Sequence, residues 1–186
     1  PAFFFWDNNT ILGGNPAVRP TISRRISSNF RHKKIMLTLQ FTDDDNPLTW
    51  VPVVMPEENI LLSRADNMED AKSAMASLNV PFQVTDWWES RYNVALHWLK
   101  LKPILNGTVI TSEDIFWYAN ISQNFTLPKD FGIELTATMR SARTIGVGEM
   151  PFYGSVNLGF QKAINDKMKL TLSWNDLFNL GSFWRV

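Results

Sequence analysis

The sequence predicts an all-β protein with antiparallel strands, on the strength of three observations. Apolar and polar residues alternate with a period of two along most of the chain. Short polar joints separate many of these runs, as expected for hairpin turns. The chain of 186 residues is 13% aromatic but only 19% charged, which is low in charge for an ordinary soluble domain. Together they favour a sheet with one apolar face and one polar face.

Runs of alternation predict the individual strands. From Ile133 to Arg140 apolar and polar residues alternate without exception, and residues 92–99 and 168–175 follow the same period. Helix-favouring residues in Glu57–Asp70 predict at most a short helical turn there. We expect sequence neighbours to pair antiparallel, with no parallel pair and no long helix between Glu58 and Ser77. The eight predicted strands are Thr21–Arg31, Lys34–Met55, Ile60–Val84, Trp88–Lys102, Val109–Leu127, Phe131–Arg143, Phe152–Ala163 and Lys167–Phe178.

Three of the turns test the register of these strands, because residues opposite each other in an antiparallel pair point to the same face. Turns near residues 31–34, 84–88 and 127–131 each bring apolar residues opposite apolar residues. The predicted pairs are Arg31 with Lys34, Phe30 with Ile35, Val84 with Trp88, Val80 with Tyr92, Leu127 with Phe131, Phe125 with Ile133, Ile121 with Ala137 and Ala119 with Met139.

The two ends of the predicted strands differ. Short polar joints alternate with longer, irregular ones, of which the first runs from Asp43 to a tip at Pro56–Asn59. Aromatic residues gather near both ends, about 9 to 11 residues apart, which is the length a strand needs to cross a bilayer. No run approaches the 18 consecutive apolar residues of a spanning helix. We therefore predict an antiparallel transmembrane β-barrel wall of about eight meander strands.

Such a wall turns one face to lipid and the other to the lumen. Residues expected to share the lipid face are Val94, Trp98, Leu135, Met139, Leu158, Leu170 and Leu172. The lumen-lining candidates are Asn93, His97, Glu134, Arg140, Asn157, Gln161 and Asn175. Glu134 and Arg140 are the candidates for an ion pair across the lumen or with a plug. Such residues also simply keep a wall hydrated, and none is singled out as a ligand contact.

Composition and motifs argue against several other kinds of chemistry. Eighteen basic and 18 acidic residues give a net charge of zero, which argues against nucleic-acid binding through bulk charge. Without cysteine there is no thiol nucleophile and no thiolate metal site, and two histidines argue against a His-rich metal centre. Asp43, Asp44 and Asp45 lack the glycine and distal glutamate of a calcium loop, so we interpret them as a solvated external loop. We expect no catalytic, cofactor or metal site.

Other folds share parts of this pattern. A soluble sandwich or lipocalin-like barrel that binds a ligand also alternates, although it needs no aromatic bands. A small closed barrel of eight strands must fill its own interior, and the small polar inward residues, such as Ser77 and Thr136, argue against it. These alternatives predict a dry core, whereas a membrane wall predicts an exposed apolar face.

Several segments add a resemblance. The chain resembles the C-terminal part of the outer-membrane β-barrel of TonB-dependent-receptor-like proteins from Gram-negative bacteria. The resemblance covers nearly the whole chain and is most specific near the C-terminus, with the element Asn175-Asp176-Leu177-Phe178-Asn179. The segments that carry it are Gly13–Pro20, Pro81–Trp88, Leu127–Phe131 and Pro151–Phe178.

The resemblance implies a place in the outer membrane and a set of partners. These are outer-membrane lipid, a plug domain of the same protein, a TonB-type energy-coupling protein and a solute that the sequence does not identify. The chain shows no signal peptide, plug or TonB box and ends at Val186, so we interpret residues 1–186 as a single, incomplete barrel segment. Uptake of a solute is the leading hypothesis, and a barrel that serves only as an assembly or secretion scaffold is the alternative.

Overall fold

The computed structural model describes residues 3–5, 10–55, 60–105, 107–145, 148–165 and 168–180. In these residues all regular secondary structure is β-strand. The strands are Phe3–Phe5 (β1), Thr10–Gly13 (β2), Ile22–His32 (β3), Ile35–Asp45 (β4), Leu48–Met55 (β5), Ile60–Asn67 (β6), Asp70–Thr85 (β7), Trp88–Leu101 (β8), Ile104–Leu105 (β9), Thr108–Val109 (β10), Ser112–Leu127 (β11), Phe131–Arg140 (β12), Arg143–Ile145 (β13), Gly148–Met150 (β14), Tyr153–Asn165 (β15) and Met168–Trp174 (β16).

Eight of these strands form one antiparallel sheet, in the order β16-β15-β12-β11-β8-β7-β4-β3. This is the chain order read backwards, so each strand lies beside the one that comes next among these eight, with β5–β6, β9–β10 and β13–β14 in the connections. The predicted fold class, an open antiparallel meander of eight strands, is confirmed. Two further sheets are small hairpins in the longer connections, β9 with β10 and β13 with β14.

The register of the sheet follows the parity argument. Leu127 lies opposite Phe131, Ile121 opposite Ala137 and the other predicted pairs of β11 and β12 are found as well. Because pairing continues from Leu135 to Leu158 and from Phe160 to Leu172, one face carries the apolar residues across β11, β12, β15 and β16. The side chains of Asn79 and Asn93 are hydrogen-bonded, as expected if Val80 lies opposite Tyr92.

The apolar face is not packed into a core. Among the described residues the buried apolar side chains are Ala71 and Ala119, while Ile26 is 75% exposed and Leu172 is 60% exposed. Of the residues expected on the lipid face, Val94, Leu170 and Leu172 are exposed and the other four are half-exposed. This pattern contradicts the dry core of a soluble barrel or sandwich.

One polar residue on the apolar face has its hydrogen bonds satisfied locally. Gln123 lies opposite Leu135 and interrupts the alternation of β11. Its side-chain oxygen accepts a hydrogen bond from the Trp88 indole (2.8 Å), and its amide donates to the hydroxyl of the fully buried Ser90 (2.7 Å). Because both polar groups of the amide are paired, the residue can lie on an apolar surface at small cost.

Two predicted strands are each divided in the structure. The prediction of one strand over Lys34–Met55 is wrong, because β4 ends at Asp45 and β5 begins at Leu48. Asn46 has a left-handed backbone (φ 52°), and Pro47 has no amide hydrogen for a ladder bond. The second division separates β6 from β7, where the amide of Met68 donates to the carbonyl of Pro47 (2.8 Å).

The expectation that no parallel pair occurs is also wrong. β2 pairs in parallel with β6, with Leu12 opposite Ser63, in a four-stranded sheet of order β1-β2-β6-β5. Strands β1 and β2, which precede β3 in the chain, thus form one sheet with β5 and β6, which follow β4. The structure has no helical turn in the described residues of Glu57–Asp70, which belong to strand β6 and the start of β7 or connect the two. The predicted tip at Pro56–Asn59 lies outside the described residues.

The three acidic residues Asp43, Asp44 and Asp45 lie in strand β4 and not in a solvated loop. Asp45 forms an ion pair with Arg24 (2.9 Å), and Asp43 forms one with Lys72 (3.5 Å). The interpretation as an external loop is therefore corrected. The alternation of β4 continues past Phe41, so Asp43 and Asp45 occupy the positions that apolar residues hold earlier in the strand, and Asp44 lies on the opposite face.

The chain divides into two compact units. One contains the four-stranded sheet, the β9–β10 hairpin and one end of β3, β4, β7, β8 and β11, and the other contains β12 to β16 with the remaining parts of those five strands. The first unit comprises Pro1–Ile26, Phe41–Ser73 and Leu99–Glu113, and the second comprises Ser27–Gln40, Ala74–Trp98 and Asp114–Val186.

Candidate functional site on the polar face of the sheet

The polar face is held by side-chain hydrogen bonds between neighbouring strands. The Asn120 amide donates to the Thr138 hydroxyl (2.9 Å), and the Asn157 amide donates to that of Thr136 (3.4 Å). Asn93, a predicted lumen residue, bonds to Asn79. These cross-strand bonds arise because the period of two places the amides and hydroxyls of adjacent strands side by side. They account for Asn93 and Asn157 as members of a hydrogen-bonded wall.

An aromatic and basic cluster lies where the strands of the second unit meet the long connections. The rings of His97 and Phe116 are stacked, with centroids 4.9 Å apart and an interplanar angle of 4°. The guanidinium carbon of Arg143 lies 5.1 Å from the centroid of the Phe116 ring, within the range of a cation–π contact. His97 is contributed by β8, Phe116 by β11 and Arg143 by the hairpin strand β13.

A cavity of about 440 Å³ lies beside this cluster. Its walls include Asp114, Arg143, Thr144, Glu149 and Met150. The Asp114 carboxylate accepts a hydrogen bond from the Thr144 amide (2.6 Å), which ties the β13–β14 hairpin to β11. Within the described part of the chain, the buried Nε of Arg143 has no hydrogen-bond partner. A buried donor of this kind can be satisfied by a bound acceptor.

Arg140 is the last residue of β12, three residues before β13 begins at Arg143. It is paired in register with Tyr118 on one side and Tyr153 on the other. Its guanidinium carbon lies 5.8 Å from the centroid of the Tyr153 ring. The long-connection end of the polar face therefore combines two arginines with aromatic rings.

A second hollow, of about 210 Å³, lies nearer the short turns and brings two predicted residues together. Glu134 and Gln161 both line it, above Gly132 and Gly159, which have no side chains to fill the space. Gly159 lies directly opposite Glu134, and Gly132 opposite Gln161. Glu134 and Arg140 are six positions apart on one strand, about 20 Å, so they do not pair with each other.

The remaining predicted lumen residue, Asn175, follows the end of β16 and is exposed. The neighbouring Asp176 amide donates to the Asn157 side chain (2.9 Å). Asp114, Phe116, Arg143, Thr144 and Glu149 were not singled out from the sequence. The polar parity of β11, continued back from Asn120, would have placed Asp114 and Phe116 on the lumen side.

Among the described residues no group of His, Asp or Glu side chains is arranged to hold a metal ion.

No helix in the described ranges is both long and apolar enough to cross a membrane.

An open meander with one exposed apolar face and one hydrogen-bonded polar face is the architecture of a transmembrane β-barrel wall. Residues 1–184 match the Outer membrane protein beta-barrel family, and the chain belongs to that family. Membership implies the bacterial outer membrane as its location. Among curated proteins, none matches the chain.

Solved structures of two receptors share the fold. The siderophore receptor PirA from Pseudomonas aeruginosa is 14% identical with a TM-score of 0.62, over 90% of this chain and 28% of that one. A mutant of the ferric enterobactin receptor PfeA from the same organism, in complex with enterobactin, is 14% identical with a TM-score of 0.56, over 91% of this chain and 28% of that one. The chain thus spans about 28% of their length, and at this identity the likeness establishes the fold alone.

The hydrogen bond from Thr144 to Asp114 predicts how the β13–β14 hairpin responds to substitution. Asp114→Ala removes a charged acceptor worth about 1 kcal/mol, so the hairpin should open more often and proteolysis within residues 143–150 should quicken roughly fivefold. Asp114→Asn keeps an oxygen acceptor and should remain close to the wild type. Limited proteolysis of outer-membrane fragments measures the rate, and equal cleavage of the alanine variant and the wild type would contradict the assigned role.

Proposed function

We propose that this chain forms part of the barrel wall of a TonB-dependent outer-membrane receptor that takes up a solute. The observation that carries the proposal is the division of one sheet into two faces of opposite chemistry. One is apolar and exposed, and the other carries amides, hydroxyls and a cluster of charged and aromatic residues beside a cavity. Family membership and the fold shared with two receptors support it.

The apolar face is suited to contact with lipid hydrocarbon. Large side chains such as Ile26, Leu172 and Trp174 are mostly exposed. Left in water, each would forgo about 1.5–3 kcal/mol of transfer free energy, and together they exceed the apolar patches that monomeric soluble proteins expose. Contact with hydrocarbon removes this penalty, so the face is stable in a bilayer.

Aromatic side chains near the short turns indicate that this end of the sheet lies at a membrane–water interface. Trp87, Trp88 and Phe125 form a cluster in which the Trp88 and Phe125 centroids are 5.6 Å apart. Lys162 extends its ammonium over the ring of Phe131, at 4.3 Å from the centroid. Rings combined with polar groups are typical of membrane–water interfaces. We assign this end to the periplasmic interface, and the end with the longer connections to the cell exterior.

The solute would first meet the lumen face at the end with the longer connections. The cavity beside Arg143 provides a guanidinium donor, the carboxylates of Asp114 and Glu149, and the Met150 side chain for apolar contact. Arg140 lies at the same end of the polar face. Below it, the hydrogen-bonded amides and hydroxyls give a wetted wall along which a solute could move once a plug is displaced. The energy for displacing it would come from a TonB-type partner.

Comparison of the media consumed by three strains tests uptake directly. Cells with the intact full-length protein, cells without it, and cells without the TonB-type coupling protein are grown in one defined mixture of solutes. Mass spectrometry should find at least one solute that is depleted only when both proteins are present. Arg143→Ala should lower that depletion about tenfold, consistent with loss of a charge-assisted contact.

The controls separate uptake from a scaffold function. The Lys169→Ala variant, at the far end of β16, removes a positive charge and should deplete the solute normally. If no solute distinguishes the strains while the surface level of other proteins falls without this protein, the chain belongs to a non-transporting assembly or secretion scaffold.

Two adjacent residues of β16 test the assignment of faces. Leu172 lies opposite Phe160 on the apolar face, and Thr171 lies opposite Gln161 on the polar face. Leu172→Arg should destabilise the inserted barrel by about 2–4 kcal/mol and lower its level in outer-membrane fractions, because it places a charge in hydrocarbon. Thr171→Arg should insert normally, since the lumen is wet. Equal insertion of both variants would contradict the assignment.

A further inference from the structure

The outward-facing side of the first unit changes from apolar to ionic over a short distance. On β3, Arg24 occupies an outward position between the exposed Ile22 and Ile26. On β4, Asp43 and Asp45 follow the exposed Phe41 on the same side. Arg24 bridges both carboxylates, at 3.7 Å and 2.9 Å. Charged side chains thus replace the apolar ones at this end of the outward face.

The same ionic band continues across the next three strands. Lys72 of β7 lies 3.5 Å from Asp43, and Lys100 of β8 lies 3.1 Å from Glu113 of β11. A third lysine of this region, Lys102, forms an ion pair with Asp70 at 3.1 Å. The hydrogen bond and charge of Asp70 raise the pKa of Lys102, which keeps that ammonium charged and paired.

The register of β7 and β8 places two lysines next to each other. The backbone amide of Lys102 donates to the carbonyl of Asp70 (3.0 Å), so these residues are partners across the strand pair. Moving two residues along each antiparallel strand brings Lys72 opposite Lys100 on the same face. Like charges directly opposite each other destabilise a sheet. Lys72 pairs with Asp43 of β4 and Lys100 pairs with Glu113 of β11, so each carboxylate lies on the side away from the other lysine. Neither salt bridge places a carboxylate between the two ammonium groups.

Lys72 and Lys100 lie at the edge of the outward-facing band of apolar residues. Along β7, Lys72 comes directly before the outward positions Ala74 to Val84, which carry alanine, leucine, valine and phenylalanine at every second residue. Ten residues rise about 33 Å along a strand, or about 25 Å along the membrane normal at a tilt of about 40°, which equals the height of the hydrocarbon-facing band of a barrel. The next outward position beyond this band on β7 is Lys72, whose side chain therefore lies at the depth of the lipid headgroups.

We infer that Lys72 and Lys100 together bind a phosphate group of an outer-leaflet lipid headgroup. The inference rests on the proposed contact of the apolar face with lipid. Both side chains are partly exposed, 40% for Lys72 and 34% for Lys100, so a phosphate oxygen can reach each ammonium from the lipid side. A phosphate between the two ammonium groups accepts hydrogen bonds from both and relieves their repulsion. The contact would fix the depth of the barrel in the outer leaflet.

Native mass spectrometry of the purified full-length protein tests the inference, with a bisphosphorylated glycolipid as the probe and its dephosphorylated form as the comparison. The wild type should bind the phosphorylated lipid about tenfold or more tightly than the double variant Lys72→Gln, Lys100→Gln, since two headgroup contacts are lost. The dephosphorylated lipid should bind both proteins alike. Inorganic phosphate at millimolar concentration should not compete, because the lipid tails on the apolar face supply the remaining affinity.

A matched control removes the same charge at the other end of the strands. The variant Lys33→Gln, Lys34→Gln changes two exposed lysines in the turn between β3 and β4 and should bind the glycolipid as the wild type does. Equal binding by the wild type and the Lys72 and Lys100 double variant, an equal loss in the control variant, or competition by inorganic phosphate would each overturn the inference.

Two readouts keep this test separate from the proposed function. Heat-dependent gel mobility confirms that the double variant is a folded barrel, and solute depletion should remain at the wild-type level. If Leu172→Arg inserts normally, the placement of the apolar face in lipid fails and this inference fails with it. If Leu172→Arg is impaired but the two lysines make no difference to lipid binding, only the phosphate site is wrong.

Discussion

The structure depends on one constraint: every backbone amide and carbonyl of a strand that crosses a bilayer must pair with a neighbouring strand. A meander satisfies this without crossovers, because each strand of the sheet pairs with the strand that follows it among those of the same sheet. Pairing in turn fixes the side chains on two faces with a period of two. Even the interruption of this period, Gln123, is resolved by hydrogen bonds to Trp88 and Ser90 on the same face.

The fold class and the register of β11 and β12 could be predicted because two independent signals agree on them. The turn after Leu127 fixes the pairing, and a slip by one residue would exchange the faces of the whole strand. The division of strands and the parallel pair of β2 with β6 were missed. Periodicity identifies the two faces of a strand but not the strand that lies beside it. The local signs that β4 could not continue were Asn46 and Pro47.

For the candidate site too, alternation predicts the face on which a residue lies but not the residues that it contacts. Asn93, Asn157, Glu134 and Gln161 were placed on the polar face by alternation alone, and their hydrogen bonds and hollow follow from that placement. The cluster of His97, Phe116 and Arg143 depends on the β13–β14 hairpin folding back towards β11. That contact joins residues far apart in the sequence, and no spacing of residue types signals it. Connections between strands are where barrel walls differ most in chemistry.

The central claim is that a single strand presents one face to lipid and the other to a wet lumen, and thiol labelling along β12 tests it most directly. Residues 1–186 contain no cysteine, so single substitutions at Leu135, Thr136, Ala137 and Thr138 each place one thiol in this part of the protein, and any cysteine elsewhere in the full-length protein is first replaced by serine. In outer-membrane vesicles containing the full-length protein, a membrane-impermeant maleimide should label positions 136 and 138, and a lipid-soluble one should be required for 135 and 137. Equal labelling at all four positions, or labelling of 135 and 137 by the water-soluble reagent, would contradict the account.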